Sequence, residues 1–295
     1  MQRNLFMLAA AFACGTVASA QGGQRGQGSQ GGQGPDIPAA ERAAIIKAAL
    51  DYGDGFYSGA AERMERAIHP DLNKVVVRAL PQTGKYVVQY STYSGLIEMT
   101  RAKVGFREPE QRKIQGDALT MNGDVACAKV TSAMFDDFLS MVKVGDQWLI
   151  VNVLWAPGPD TPNRPAVPVV DVVKDKEAIT RAAADFTQGL LSSDAALLEK
   201  VLHPEASMAV FSSLTAGWPM INRIRYSGIV EPARAKLSVA PAGAPAPEIR
   251  ILDVMDGMAF VEVMAANSVL YVQMMVLDGQ WKIFNVLTKR LPPRR

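Results

Sequence analysis

Apolar residues recur first at helical spacing and then at strand spacing, and the chain does this twice. After Pro38, Ile45, Ala49, Tyr52 and Phe56 fall on one helical stripe. Gly59 interrupts that stripe, and a second short helix carrying Met64, Ala67 and Ile68 is expected to stop at Pro70. Val75 to Ala79 and Tyr86 to Tyr90 alternate as strands about a Pro81 to Gly84 turn, and Ser91/Thr92 caps a helix running to Lys103. From Ile114 the pattern is strands broken at Asn122-Gly123 and Gly145-Asp146, with matching turns at Asp256-Gly257 and Asp278-Gly279 in the second half. Helices followed by an antiparallel run predict an α+β domain whose curved sheet wraps its helices.

The second half is a copy of the first. At an offset of 134, residues 43–72 match residues 177–206 at 11 of 30 positions, including His69-Pro70 with His203-Pro204. At an offset of 133, Tyr93 to Lys103 faces Tyr226 to Lys236, and Gln147 to Leu154 faces Gln280 to Leu287. Three blocks in one order, with one residue of slippage, mean a duplicated domain. The expected organisation is domain 1 over 37–155, a linker over 156–172 and domain 2 over 173–290. Pro157, Pro159, Pro162, Pro165 and Pro168 make the linker extended and semi-rigid. The two domains are expected to pack as an internal pseudo-dimer, with a homo-oligomer also open.

Before the first domain lie two segments of other composition. Arg3, the apolar run Leu5 to Ala13 and Ala18-Ser19-Ala20 predict a signal peptide over 1–20, cut before Gln21, and hence a secreted or periplasmic protein. Lipid anchoring at Cys14 is the minor alternative. Residues 21–36 are nearly all Gln, Gly and Ser, which predicts a disordered tether. Its Gly26-x-Gly28-x-x-Gly31 lacks the flanking strand and helix that a dinucleotide fingerprint needs. No later segment reaches membrane-spanning length.

Composition narrows the partners. Over 295 residues, 31 Lys plus Arg against 29 Asp plus Glu leave a formal charge of +2, which argues against nucleic acid. Two histidines and one mature cysteine, Cys127, supply neither a metal-ligand cluster nor an internal disulfide, so no metal and no cofactor is expected.

The string Gly55 to Leu72, together with Gly145 to Trp155, resembles the putative lumazine-binding family of the nuclear-transport-factor-2-like superfamily, which also holds ketosteroid isomerases and polyketide cyclases. The resemblance covers both copies and is stronger in the first. It implies two tandem cone-shaped barrels, each with N-terminal helices packed on a curved, mostly antiparallel sheet. A pocket would lie between the helices and the concave face. It implies no settled activity, since the superfamily hosts enzymes and binding modules alike.

The candidate ligand-binding residues are Tyr52, Phe56, Tyr57, His69, Tyr93, Asp137 and Asn152. Asp137 interrupts an apolar strand, and a carboxylate facing an apolar pocket can act as a base or a polar anchor. Asp136 is its neighbour, so one of the two is expected to point outward. His69 and His203 also read as helix-terminating residues, and Asn152 and Asn285 as amides that satisfy backbone groups. Trp148 and Trp281 read as core, Cys127 as a buried apolar position. Copy two has Phe186, Leu191 and Leu270 where copy one has Tyr52, Tyr57 and Asp137, which places specificity in domain 1. Two classes of function stay open. One is an exported non-enzymatic protein that binds a small apolar or aromatic ligand or a protein partner. The other is a periplasmic isomerase, dehydratase or cyclase with Asp137 as base.

Overall fold

The computed structural model describes residues 37–80, 83, 85–162, 164, 171–213, 219–237 and 246–291. The expected signal peptide, Cys14, the tether and linker residues 163 and 165–170 lie outside the described residues.

Domain 1 opens with α1 (Ala39–Ser58), which ends at Gly59 in the left-handed region (φ 71°), where the Gly59 N–H donates to Gly55 O. A Cβ there would also meet Lys103 Cγ at 2.7 Å, so glycine is required twice over. Next come α2 (Ala61–Ala67), β1 (Ile68–Leu80) and β2 (Lys85–Ser91), then α3 (Tyr93–Arg101), whose cap Thr92 accepts the Gly95 N–H at 3.2 Å. A short α4 (Pro109–Arg112) leads into β3 (Gln115–Asn122), β4 (Val125–Thr131), β5 (Phe135–Val144) and β6 (Gln147–Pro157). Among the described residues, domain 2 repeats the order of the other elements: α5 (Val172–Ser192), α6 (Ala195–Val201), β7 (Leu202–Ser213), β8 (Pro219–Arg225), α7 (Tyr226–Arg234), β9 (Glu248–Met255), β10 (Met258–Ala265), β11 (Ser268–Leu277) and β12 (Gln280–Arg290).

The second helix is shorter than its apolar spacing suggests. It stops at Ala67, and Ile68 already belongs to β1, pairing in parallel with Ile150 of β6. Pro70 then falls where the β1–β6 register shifts, between Ile68 and Asn73, so its missing N–H breaks no ladder. The sheet of domain 1 runs β2-β1-β6-β5-β4-β3, that of domain 2 β8-β7-β12-β11-β10-β9, and among the described strands only β1–β6 and β7–β12 are parallel. Each sheet is therefore open at both ends, a curved half-cone rather than a closed barrel.

Each sheet has two buried faces. One packs its own helices: Ile45, Tyr52, Met64, Phe135, Leu139 and Val153 in domain 1, Ile179, Phe186, Leu198, Val261, Val272 and Val286 in domain 2. The other packs the opposite sheet through Val75, Cys127, Phe138 and Leu154 against Phe211, Phe260, Tyr271 and Phe284. Strand alternation decides which residue goes where. On β5 the odd positions Phe135, Leu139 and Met141 meet helices, and the even positions Phe138 and Val142 meet domain 2.

Candidate functional site

Three polar side chains meet inside the helix-facing layer of domain 1. Tyr52 comes from α1, Lys74 from β1 and Asp137 from β5. The Tyr52 hydroxyl donates to Asp137 Oδ2 at 2.7 Å. Lys74 Nζ donates to Tyr52 Oη at 2.5 Å and to Asp137 Oδ2 at 3.2 Å. Asp137 has 0% of its surface exposed and Lys74 8%. Burial raises the Asp137 carboxyl, and Lys74 and Tyr52 pull against it. Burial lowers the Lys74 ammonium, and Asp137 opposes that. Burial and the Asp137 charge together push the Tyr52 phenol well up, so it stays a donor.

Aromatic rings enclose the triad. Lys74 Nζ sits 5.2 Å from the Tyr52 ring centroid and 5.6 Å from that of Phe135. Phe135 stacks on Tyr57 at 5.0 Å and receives Tyr52 and Phe56 edge-on. Tyr57 is held in turn: its oxygen lies 2.9 Å from Ser132 Oγ and accepts the Met134 N–H at 2.9 Å. Trp155 and Tyr93, both half-buried, border the same core, and the Arg78 guanidinium lies 5.5 Å from the Trp155 ring.

The sequence candidates thus divide. Tyr52, Phe56, Tyr57 and Asp137 come together. Tyr93 borders the group without a polar contact to it. His69 sits at the entrance of β1, where its Nδ1 accepts the Asp71 N–H at 3.1 Å, so it serves its own strand rather than the helix carbonyls. Asn152 belongs to the other face of the sheet: its Nδ2 donates to Val286 O of domain 2 at 3.2 Å, and its Oδ1 accepts from Arg223 at 3.0 Å. Neither aspartate is solvated, because Asp136 turns to domain 2 while Asp137 turns to the helices. Lys74 was not among the candidates. Its signal was Met208, the residue at the same place in copy two.

A surface groove of about 420 Å³ lies elsewhere, between Tyr90 of domain 1 and Glu205, Arg225 and Tyr226 of domain 2. Cys127 is buried between the sheets, and burial pushes its thiol well up. Among the described residues, no three His, Cys, Asp or Glu side chains are placed to hold a metal ion, and no helix is long and apolar enough to cross a membrane.

The sequence profile of the putative lumazine-binding family matches residues 40–156 and again residues 174–287. The chain belongs to that family. Each match to the lumazine-binding family contains one six-stranded sheet and its helices, and the buried triad lies in the first. The chain is similar to a solved NTF2-like protein of unknown function from Silicibacter pomeroyi, at 19% identity over 39% of this chain and 93% of that one (TM-score 0.33). A second, from Shewanella baltica, shares 18% identity over 42% and 99% (TM-score 0.34). A third, a putative scytalone dehydratase from Novosphingobium aromaticivorans, shares 14% over 44% and 93% (TM-score 0.33). No curated protein matches the chain.

Proposed function

We propose that the protein is an exported, non-enzymatic binder of a small aromatic or apolar molecule bearing at least one polar group, with its site in domain 1. The observation that carries this is a coordinated exchange. Where domain 1 has Tyr52, Lys74 and Asp137, domain 2 has Phe186, Met208 and Leu270. A fold that needs only a packed core is content with the second set, so the polar set answers a requirement beyond folding. The triad offers O–H and N–H donors and a carboxylate acceptor with no net charge. Aromatic walls supply the remaining contact. Tyr52, Tyr57 and Asp137 are buried, and the half-buried rings of Phe56, Tyr93 and Trp155 border the same core, so the route proposed for a ligand runs past those rings.

A second reading, an isomerase, dehydratase or cyclase using Asp137 as base, draws on the raised carboxyl and the adjacent Tyr52 donor. It is the weaker one, because the fully buried carboxylate already accepts from both Tyr52 and Lys74, and Lys74 holds it as an ion pair. Export rests on the first twenty residues.

Native mass spectrometry of the protein isolated from its own cells tests both parts. The expected chain begins at Gln21 and carries one non-covalent small-molecule mass, which the Y52F/K74M/D137L triple variant loses. A chain that carries nothing, or a mass that the triple variant keeps, overturns the site.

A further inference from the structure

The contacts between the two sheets follow a pseudo-two-fold axis. Asn152 Nδ2 donates to Val286 O at 3.2 Å, and its counterpart Asn285 Nδ2 donates to Val153 O at 3.1 Å. The Tyr90 hydroxyl donates to Glu205 O at 3.0 Å, and Arg223, at the same strand position in the other domain, donates to Asp71 O at 2.7 Å. Ser140 and Gln273 share one repeat position and touch at 3.3 Å, so they lie at the axis itself. Two identical domains would make a frame of this kind.

The chemistry laid on that frame is not symmetric. At the axis a large residue meets a small one, whereas a self-pair would set Gln against Gln or Ser against Ser, overfilled or void. Lys129 donates to Asp253 at 2.5 Å, but the counterpart of Lys129 is Glu262 and that of Asp253 is Thr120. Glu262 is instead held by Arg250 of its own domain at 2.6 Å and accepts across the interface from Thr120 at 3.1 Å and from Asn122 at 2.8 Å. Arg164 pairs with Asp256, and Lys289 with Asp124. The counterparts of Asp256, Asp124 and Lys289 are Gly123, Gly257 and Ala156, so neither ion pair has a symmetric twin. A domain-2 self-pair would put Glu262 against Asp253, and a domain-1 self-pair would leave Lys129 facing Thr120.

We infer that domain 2 is a dedicated partner of domain 1: each face accepts the other and refuses a second copy of itself, and the chain works as a closed monomer. Specificity built by removing the wrong partner's ion pairs and spoiling its axial packing is the discrimination expected where two copies of one surface share a chain.

The test uses the full chain. Lys129→Glu sets a carboxylate against Asp253 in place of its partner, and Asp253→Thr recreates the unpaired lysine of a domain-1 self-pair. Each is expected to lower the melting temperature by about 3–6 °C. The K129E/D253K double variant, which restores an ion pair in reverse, is expected to recover at least half of the Lys129→Glu loss. Light scattering is expected to find one chain per particle across the micromolar range. Single variants that melt like the native chain, a double variant no more stable than Lys129→Glu alone, or a stable two-chain particle would each overturn the inference.

Discussion

Burying Lys74 and Asp137 beside Tyr52 takes two charges out of water, and each loses several kcal/mol of hydration in doing so. Their attraction at 3.2 Å returns about 5 kcal/mol at an effective dielectric of 20, so the pair sits near balance and cannot be explained as a source of stability. Breaking it from one side is another matter. Lys74→Met alone strands an uncompensated carboxylate and is expected to cost about 3–5 kcal/mol. The Y52F/K74M/D137L variant installs the apolar set that domain 2 already uses and is expected to match or exceed native stability. Urea denaturation at neutral pH measures both, and a triple variant as unstable as the single one would show that the three residues are not one unit. Tyr52 and Asp137 were legible in the sequence because each is a polar residue in an apolar stripe. Lys74 was not, because Asn73-Lys74 reads as the solvated start of a strand; only comparison with Met208 sets it apart.

At the scale of elements, the helices and hairpins follow directly from local chemistry, with Gly59 ending α1, Thr92 capping α3 and Asn122-Gly123 turning β3 into β4. The start of β1 does not. Met64, Ala67 and Ile68 continue a helical spacing, and what overrides it is the parallel partner Ile150, eighty-two residues away in sequence. The repeated histidine belongs to this strand entrance. His69 and His203 each accept the N–H two residues on at 3.1 Å, and His203 also stacks on Phe284 at 4.4 Å. Burial lowers both imidazoles, so each is neutral in the folded chain and its Nδ1 is free to accept. On acidification the unfolded chain binds its protons first. The histidines' contribution is therefore complete above the ordinary value of about 6.5 and is lost as the pH falls through the lower folded values. His69→Ala and His203→Ala are each expected to cost about 1 kcal/mol at pH 7.5. Together they should flatten the fall in stability between pH 7 and 5, followed by denaturation at each pH; an unchanged slope would move the acid sensitivity elsewhere.

At the scale of the whole molecule, domain 2 stands directly behind the site. Asn73 precedes Lys74 on β1 and donates to Asn285 Oδ1 at 2.8 Å, and Asp136 precedes Asp137 on β5 and bonds to Asp256. Both sheet-borne members of the triad are thus held by a neighbour anchored in the other domain. Strand alternation predicted that Asp136 and Asp137 face opposite ways, but not that both are buried, because the cover over Asp136 comes from a surface more than a hundred residues away. Burial first, and then the Asp256 carboxylate, push the Asp136 carboxyl up to about 8. The Ser132 N–H donates to it at 3.1 Å, Asp137 lies behind it, and Arg164 faces Asp256 at 2.5 Å. The folded chain therefore keeps a proton here that the unfolded chain gives up near the ordinary aspartate value of about 3.9. Its contribution is complete below that value and drains away as the pH rises towards about 8. Asp136→Asn supplies the donor to Asp256 permanently and can still accept from Ser132. The variant is expected to melt with the native chain at pH 4 and a few degrees above it at pH 8.5, with the gap opening across the interval. Parallel melting curves for the two proteins over that range would mean that no proton is held between the domains, and that Asn73 with Asn285 anchors the back of the site without help from Asp136.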